Sequence, residues 1–393
     1  MNIAFCTEYL LPQINGIAVR CDEYLKHLYK ENHTIDVYGP NSHSKTTTGI
    51  HTITNYWNKG NRIAILPNFR LLYNILMKKY DIVHVILPLF AWFPLIALFT
   101  KMSGTKLILS NHVNLSFYSR SYFKSKLLIS ICKIIIRNYY RFQNIVADMI
   151  MAPSNFEETQ KFINPEKFQI IQTGIDTNLF LPKPKSIYKK EIIYVGRIAP
   201  EKDLYKLFNL FLLLKDYKLT VIGDGPELPR FKNLYASNPN IQFLGFVDHD
   251  NLTPYYQKAD FHLVSSLSET FGFTLIESMA CGTPVIYPNC SVFRSLYLEQ
   301  FPELIYDCND ESSFLKAVES LNANLSSLSN RSIAYAERHS WESATRDLVR
   351  KYNDQLQQVP TRYPLVNLVF NRFLSYFMIL VYFGFCTVRY VKN

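Results

Sequence analysis

The sequence predicts an α/β protein built from two Rossmann-like domains. Twice in the chain an apolar strand leads through a glycine-containing turn into a helix and then a further strand, first within residues 3–38 and again within residues 191–222. This order of elements is typical of nucleotide-binding domains with parallel sheets. With 393 residues, 48% of them hydrophobic, the chain is long enough to bury a large core.

Composition narrows the classes of partner. The net charge of +10 favours anionic partners such as nucleotide sugars, lipid headgroups or nucleic acid. No stretch resembles a nucleic-acid-binding motif, so nucleic acid is not expected. The seven cysteines are scattered without a CxxC pair, which indicates a reducing compartment and argues against a disulfide framework or a zinc site. The N-terminus lacks the pattern of a signal peptide and is predicted to be the first strand.

The first domain begins with a strand at Ile3–Cys6, and the loop Pro12–Ile17 follows it. A helix is predicted from about Ala18 to Tyr29, and Thr34–Tyr38 is the second strand. Gly16 in the loop would let the backbone approach a ligand closely. An ordinary turn glycine is the alternative, because a single glycine is a weaker signal than GxGxxG.

The stretch Ile82–Thr100 contains no Asp, Glu, Lys or Arg, which is the pattern of a membrane-spanning helix. His84, Pro88 and Pro94 interrupt it, however. We therefore predict a buried strand at Asp81–Leu87 followed by a buried helix.

His112 follows the next predicted strand, Thr105–Leu109, at the carboxyl end where open α/β sheets bind ligands. A structural histidine is the alternative. The segment Tyr122–Phe142 has the pattern of a basic amphipathic helix. Such a helix can lie on an anionic membrane surface; the alternative is a core helix with a solvated basic face.

The second domain opens with a strand at Glu191–Val195. Arg197 and Lys202 bracket the following turn and could bind a diphosphate, although two solvated cations are the alternative. A glycine turn around Asp224 follows a later strand. The triplet Asp248–Asp250 could bind a metal, but we expect helix capping instead.

A strand, loop, helix and strand are predicted across residues 259–286. Glu269 lies in the loop, Gly272 permits a close backbone approach, and Glu277 lies about two turns inside the helix. The N-terminus of such a helix suits phosphate. A capped helix with two solvated glutamates is the alternative.

This last stretch resembles the donor-site signature of retaining family 4 glycosyltransferases, which have the GT-B fold. The resemblance rests on Glu269, seven residues, Glu277 and the following Ala280–Val285 segment, and it covers about residues 1–357. It implies two facing Rossmann-like domains with a cleft between them and transfer of a sugar from a nucleotide diphosphate, UDP- or GDP-linked. It also implies that Arg197 and Lys202 neutralise the β-phosphate.

The same resemblance implies the remaining roles. The first glutamate, Glu269, faces the donor sugar, the second, Glu277, binds the ribose, and His112 contacts the sugar. Further donor-binding positions that the resemblance implies are Gly16, Asp224, Phe271, Gly272 and Phe273. No metal ion and no resident cofactor are expected.

The motifs look most like those of sulfolipid synthases and related α-mannosyltransferases, so a lipid acceptor is expected. A soluble glycan or protein acceptor is the alternative, and so is a non-catalytic nucleotide-sugar-binding protein. A nucleotide-sugar epimerase of the same fold would not need the acceptor surface that the basic helix suggests.

The predicted domains are 1–181, which binds the acceptor, and 182–340, which binds the donor. Residues 341–359 form a helix that crosses back to the first domain. Residues 360–393 form a hydrophobic tail, uncharged from Phe373 to Val388. This tail predicts attachment to the cytoplasmic face of a membrane, as an anchor or an in-plane helix. The alternative is a last core helix.

Overall fold

The computed structural model describes residues 1–10, 16–39, 50–52, 69–87, 93–113, 115, 125–154, 162–185, 187–267, 269 and 271–358. Within them the chain forms two compact α/β units, each with a parallel sheet. The predicted fold class, two Rossmann-like domains, is confirmed. The predicted tail, residues 360–393, lies outside the described residues.

The first unit contains a seven-stranded sheet in the order β3-β2-β1-β4-β5-β6-β7. Its strands are β1 Asn2–Cys6, β2 Thr34–Gly39, β3 Ile50–Thr52, β4 Ile82–Leu87, β5 Lys106–Asn111, β6 Met149–Ala152 and β7 Phe168–Ile170. The strand order changes direction between β1 and β4, and this switch point is where open α/β sheets bind ligands at their carboxyl ends.

The central strands of this sheet explain the uncharged stretch. Every residue of β4 and β5 is buried, as expected for parallel strands covered on both faces. The helix Phe93–Ser103 follows β4, so the predicted strand and helix are confirmed. None of the helices in the described part of the chain is long and apolar enough to cross a membrane.

The described helices of the first half are Gly16–Lys30, Phe69–Leu76, Phe93–Ser103 and Lys126–Val146. The last of these corresponds to the predicted basic helix, whose first residues lie outside the described part.

The second unit contains a six-stranded sheet in the order β10-β9-β8-β11-β12-β13. Its strands are β8 Glu191–Val195, β9 Lys218–Ile222, β10 Ile241–Gly245, β11 Phe261–Leu263, β12 Val285–Pro288 and β13 Ile305–Tyr306. Here the switch point lies between β8 and β11. The turn carrying Arg197 follows the first of these strands, and the loop carrying Glu269 follows the second.

The helices of the second half include two long ones near the end of the described chain. They are Leu204–Leu212, Leu228–Leu234, Thr253–Lys258, Phe273–Ala280, Ser291–Tyr297, Glu311–Glu337 with a kink at Asn324, and Trp341–Gln357. Single 3₁₀ turns lie at Pro165–Lys167, Pro200–Lys202, His249–Asn251 and Pro302–Leu304.

Spatial grouping joins Met1–Gln172 with the described residues from Ala344 onward, and it places Thr173–Ser343 in the second unit. The sequence had put the division after residue 181. The structure groups the intervening segment with the second unit because Ile175 N–H donates to the His339 carbonyl at 2.7 Å. The ring of Phe180 also packs against Tyr256, with centroids 6.1 Å apart.

Candidate functional site

Two turns at the carboxyl ends of β8 and β9 are joined through their backbones. Ile198 N–H donates to the Asp224 carbonyl at 2.9 Å. A Cβ at Gly223 would lie 1.8 Å from the Gly196 carbonyl oxygen, and Gly223 has a φ of +139°. The turns can therefore come this close because Gly223 lacks a side chain. The Asp224 carboxylate accepts a hydrogen bond from Gly225 N–H at 2.7 Å, so it shapes its own turn.

The turn after β8 and the loop after β11 bring two of the predicted residues, Lys202 and Glu269, into contact. Lys202 Nζ donates to Glu269 Oε1, and both side chains are mostly buried. Ser265 from the second loop donates to the Lys202 carbonyl at 2.9 Å. Arg197 remains half-exposed and lies 3.4 Å from the buried carboxylate of Glu201. The cationic side chains of Arg197 and Lys202, together with the Glu269 carboxylate that is paired with Lys202, thus lie at the switch point of the second sheet.

Glu277 lies inside the helix Phe273–Ala280 and is buried. Its Oε2 accepts a hydrogen bond from Tyr256 OH, and its Oε1 contacts His249 Nε2, each at 3.0 Å. The hydrogen bond to this carboxylate raises the pKa of His249, although burial opposes the shift. Two side chains therefore fix the orientation of the predicted ribose-binding carboxylate.

Sequence reasoning missed His249 and Tyr256 as parts of the site. His249 belongs to the acidic triplet that was expected to cap a helix, and that expectation is wrong. Neither Asp248 nor Leu252, the residue before the helix Thr253–Lys258, makes a side-chain cap. Asn251 N–H is satisfied instead by the Asp248 carbonyl at 2.9 Å. The position of His249 just beyond β10, at the ligand-binding edge, was the available signal.

Gly272 precedes the helix of Glu277 in a left-handed conformation, with a φ of +82°, and its carbonyl accepts from Leu275 N–H at 3.0 Å. Phe271 beside it is buried, and its ring lies 5.9 Å from that of Phe273. The Phe273 ring in turn lies 6.1 Å from Trp341. These aromatic side chains hold the loop in place by packing.

Gly16 and His112 belong to the first unit. Gly16 is the first residue of the helix Gly16–Lys30, and His112 follows β5 directly. Arg20, one helical turn beyond Gly16, places its Nη1 2.5 Å from Nδ1 of the buried His112. Sequence reasoning missed Arg20, which is itself buried. Its spacing of four residues from Gly16 was the only signal.

The helix Lys126–Val146 exposes apolar side chains. Leu127 is 70% exposed, Ile134 is 51% exposed and Ile131 is 40% exposed. Their spacing of three and four residues puts them on one face, which we call the apolar stripe. Lys126 and Lys133 are exposed beside it.

No group of three His, Cys, Asp or Glu side chains among the described residues could hold a metal ion. Metal-independent action stays a prediction. The cationic side chains that the structure places at the switch point are Arg197 and Lys202.

Two family models match consecutive parts of the chain. The model described as "Glycosyltransferase Family 4" matches residues 14–179, and "Glycosyl transferases group 1" matches residues 180–339. The first ends and the second begins at the junction between the halves that carry the two sheets.

Named relatives are similar over part of the chain. The sulfoquinovosyl transferase SQD2 of Arabidopsis thaliana is 28% identical over 239 residues, which are 57% of this chain and 45% of that protein. The alpha-monoglucosyldiacylglycerol synthase of Acholeplasma laidlawii is 27% identical over 257 residues, which are 57% of this chain and 63% of the synthase. The chain thus spans about half the length of the first relative.

Among solved structures, Anabaena HepE in complex with UDP has a TM-score of 0.68 at 15% identity, covering 90% of this chain and 100% of that one. Sucrose-phosphate synthase from Thermosynechococcus elongatus has a TM-score of 0.64 at 17% identity, covering 90% of this chain and 98% of that one. At these identities the likeness concerns the fold.

Proposed function

Because this chain belongs to the family 4, group 1 glycosyltransferases with the GT-B fold, we propose that it transfers a sugar from a nucleotide diphosphate to an acceptor with retained anomeric configuration. The observation that carries the proposal is the Lys202–Glu269 pair at the switch point of the second sheet. It joins a cation suited to a leaving diphosphate with a carboxylate suited to sugar hydroxyls.

The proposed chemistry breaks the bond between the anomeric carbon and the β-phosphate oxygen. The diphosphate leaves with the electron pair, and Arg197 and Lys202 stabilise its charge. The acceptor hydroxyl attacks on the same face, and its proton passes to the leaving phosphate. Glu269 binds the sugar hydroxyls. Glu277 binds the ribose, and contacts with His249 and Tyr256 fix the orientation of its carboxylate.

Backbone groups of the second unit are the further proposed donor contacts. The Asp224 turn, Gly272 and the N-terminus at Phe273 offer backbone groups near a diphosphate, while buried Phe271 supports that loop. Gly16 and His112 are the proposed contributions of the first unit. The two cations at the switch point provide the charge neutralisation that a metal would otherwise give, so no metal is required.

A membrane lipid is the proposed acceptor. The named relatives SQD2 and the Acholeplasma synthase support this class, and so does the exposed apolar stripe flanked by Lys126 and Lys133. The net charge of +10 would favour an anionic surface. We accordingly propose attachment at the cytoplasmic face of a membrane, either peripheral or through the C-terminal tail. A soluble glycan or protein acceptor is the alternative.

The experiment offers the full chain a panel of UDP- and GDP-sugars and measures nucleoside diphosphate release, with and without diacylglycerol in anionic vesicles. One nucleotide sugar should release its diphosphate, and the lipid should accelerate this release. Lys202→Met should abolish the lipid-stimulated release, and EDTA should leave it unchanged. Absence of release with every donor would contradict the proposal, and acceleration by a soluble sugar alone would favour the alternative acceptor.

A further inference from the structure

The side chains of Arg20 and His112 form a buried contact in the first unit. The proposed chemistry gives a role to His112 but none to Arg20. Arg20 is 3% exposed and His112 is 4% exposed, although both side chains are polar. The guanidinium Nη1 lies 2.5 Å from imidazole Nδ1. A buried arginine is costly unless its charge serves a bonding or electrostatic purpose.

The chemistry of the two groups decides where the imidazole proton lies. A guanidinium has only donors and stays charged in proteins. Burial lowers the pKa of Arg20 to about 10, which still leaves it protonated at neutral pH. Nδ1 of His112 must therefore accept the hydrogen bond. A neutral imidazole that accepts at Nδ1 carries its proton on Nε2.

The neighbouring titratable groups support a neutral ring. Burial, together with the charge of Arg20, holds the pKa of His112 well below its usual range, and burial lowers the pKa of His84 to about 3, so that His84 is neutral. His84 is itself buried, with its two nitrogens bonded to Tyr352 at 2.6 Å and Ser110 at 2.7 Å. Tyr24 and Cys21 are titratable neighbours of Arg20, and burial raises the pKa of both groups, so both are uncharged at neutral pH.

We propose that Arg20 is a positioning residue that holds His112 as the neutral Nε2–H tautomer, so that His112 offers a hydrogen-bond donor to an oxygen of the donor sugar. This inference rests on the proposed function, which places the sugar against His112. Fixing the tautomer through a second hydrogen bond is a general way of setting what a histidine offers to its ligand.

A neutral ring also suits the charge that develops during transfer. Glycosyl transfer passes through a transition state with oxocarbenium character at the anomeric carbon. A positive imidazolium in contact with the sugar would oppose that charge. Burial and the charge of Arg20 together keep His112 from titrating in the physiological range.

The first test reads the tautomer directly and does not depend on activity. Long-range ¹H–¹⁵N spectra of the histidine rings are recorded for the wild type, with His112→Gln to identify the signal. We expect the His112 signal to show an unprotonated Nδ1 and a protonated Nε2 from pH 5.5 to 8. An Nδ1–H tautomer, or a charged ring, would overturn the inference even if the protein transfers sugars.

The second test compares Arg20→Met with the wild type across the same pH range. Kcat/KM should fall by about 10–100-fold, the scale for partners that orient a functional histidine. The ratio of variant to wild type should fall further toward acidic pH, because the variant lacks the Arg20 charge that acts together with burial to keep the pKa of His112 low. Arg20→Lys should restore part of the activity and the flat ratio, since an ammonium also donates to Nδ1.

Lys101→Met is the matched control, because it also removes a buried cation from the first unit, one that pairs with Asp148 at 3.0 Å. It should lower the melting temperature while leaving the tautomer and the pH ratio unchanged. If Arg20→Met does not fold, the wild-type tautomer and Arg20→Lys decide the outcome. An Arg20→Met enzyme with wild-type tautomer and a flat ratio would refute the role of Arg20.

Discussion

Lys202 and Glu269 lie in different loops and form an ion pair. The sequence suggested their roles separately, diphosphate binding for Lys202 and sugar binding for Glu269. A partly buried pair of this kind orients both side chains before a ligand is bound. Removing one partner leaves the other without its counter-charge. The effects of the two residues on activity should therefore not be independent.

Lys202→Ala should lower the rate by about 10²–10³, the scale for loss of one preorganised charge-stabilising group. The rate of the double variant Lys202→Ala/Glu269→Gln should fall by less than the product of the two single reductions, because each single change already disrupts the pair. Steady-state kinetics of the four members of this cycle measure the coupling. Lys258→Ala removes an exposed lysine that pairs with Glu191 in the same unit and should leave the rate unchanged. Strictly multiplicative effects would contradict the coupling.

Glu277 provides a pH-dependent prediction through His249. The hydrogen bond to Glu277 raises the pKa of His249 above its ordinary value of about 6.5. Its stabilising contribution should be fully present below pH 6.5 and lost as the pH rises through the folded-state pKa. The difference in melting temperature between the wild type and His249→Gln should accordingly shrink from pH 5.5 to 8.5.

Tyr256→Phe is the control for that measurement. It removes the second hydrogen bond to Glu277, and burial raises the pKa of Tyr256 well above its usual range. Its destabilisation should stay constant over the same pH interval. A difference for His249→Gln that grows with pH would mean that the charged pair does not form.

At the scale of elements, the close approach of the turns after β8 and β9 depends on Gly223. Alanine there would place its Cβ 1.8 Å from a backbone oxygen in addition to straining the backbone. Gly223→Ala should destabilise the protein by more than the roughly 1–3 kcal/mol that backbone strain alone costs. It should also weaken donor binding, because the turn of Asp224 must move. Thermal unfolding and donor titration measure both effects.

Gly245→Ala is the matched control for Gly223→Ala. Gly245 accepts from Gly223 N–H at 2.8 Å and has a φ of +76°, but nothing lies within 4 Å of the position that its Cβ would take. It should show the strain alone and bind the donor normally. Equal losses at the two positions would show that the steric approach is unimportant.

The elements that the sequence predicted are those with local signals. The apolar runs of β4 and β8 and the glycine turn at Gly223 need only short stretches of chain to be recognised. The spacing of the motif predicted Glu269 and Glu277 as site residues. The structure shows that Lys202 contacts Glu269 and that His249 and Tyr256 contact Glu277. Arg20 could not be predicted, because its partner lies 92 residues away and only the packed sheet brings them together.

At the scale of the whole molecule, two surfaces are proposed to attach the enzyme to a membrane, the apolar stripe and the tail of residues 360–393. The full chain should co-float with anionic vesicles. Ile134→Glu should weaken this binding, because it places a negative charge on the exposed stripe. Leu212→Glu, at a leucine that is 54% exposed in the second unit, is the matched control and should bind normally.

A chain ending near Pro360 should also lose much of its vesicle binding while still releasing nucleoside diphosphate from its donor. If this truncated chain unfolds, the tail belongs to the core. If the full chain does not float with anionic vesicles at physiological salt, the membrane proposal fails.

The Lys202–Glu269 pair is proposed to support retaining transfer from a nucleotide sugar. The most direct measurement follows the anomeric proton by NMR while the full chain converts its preferred nucleotide sugar in the presence of a lipid acceptor. We predict a product with the anomeric configuration of the donor, formed by the wild type and by Lys258→Ala but not by Lys202→Met. A product of inverted configuration, or undiminished transfer by Lys202→Met, would contradict the account.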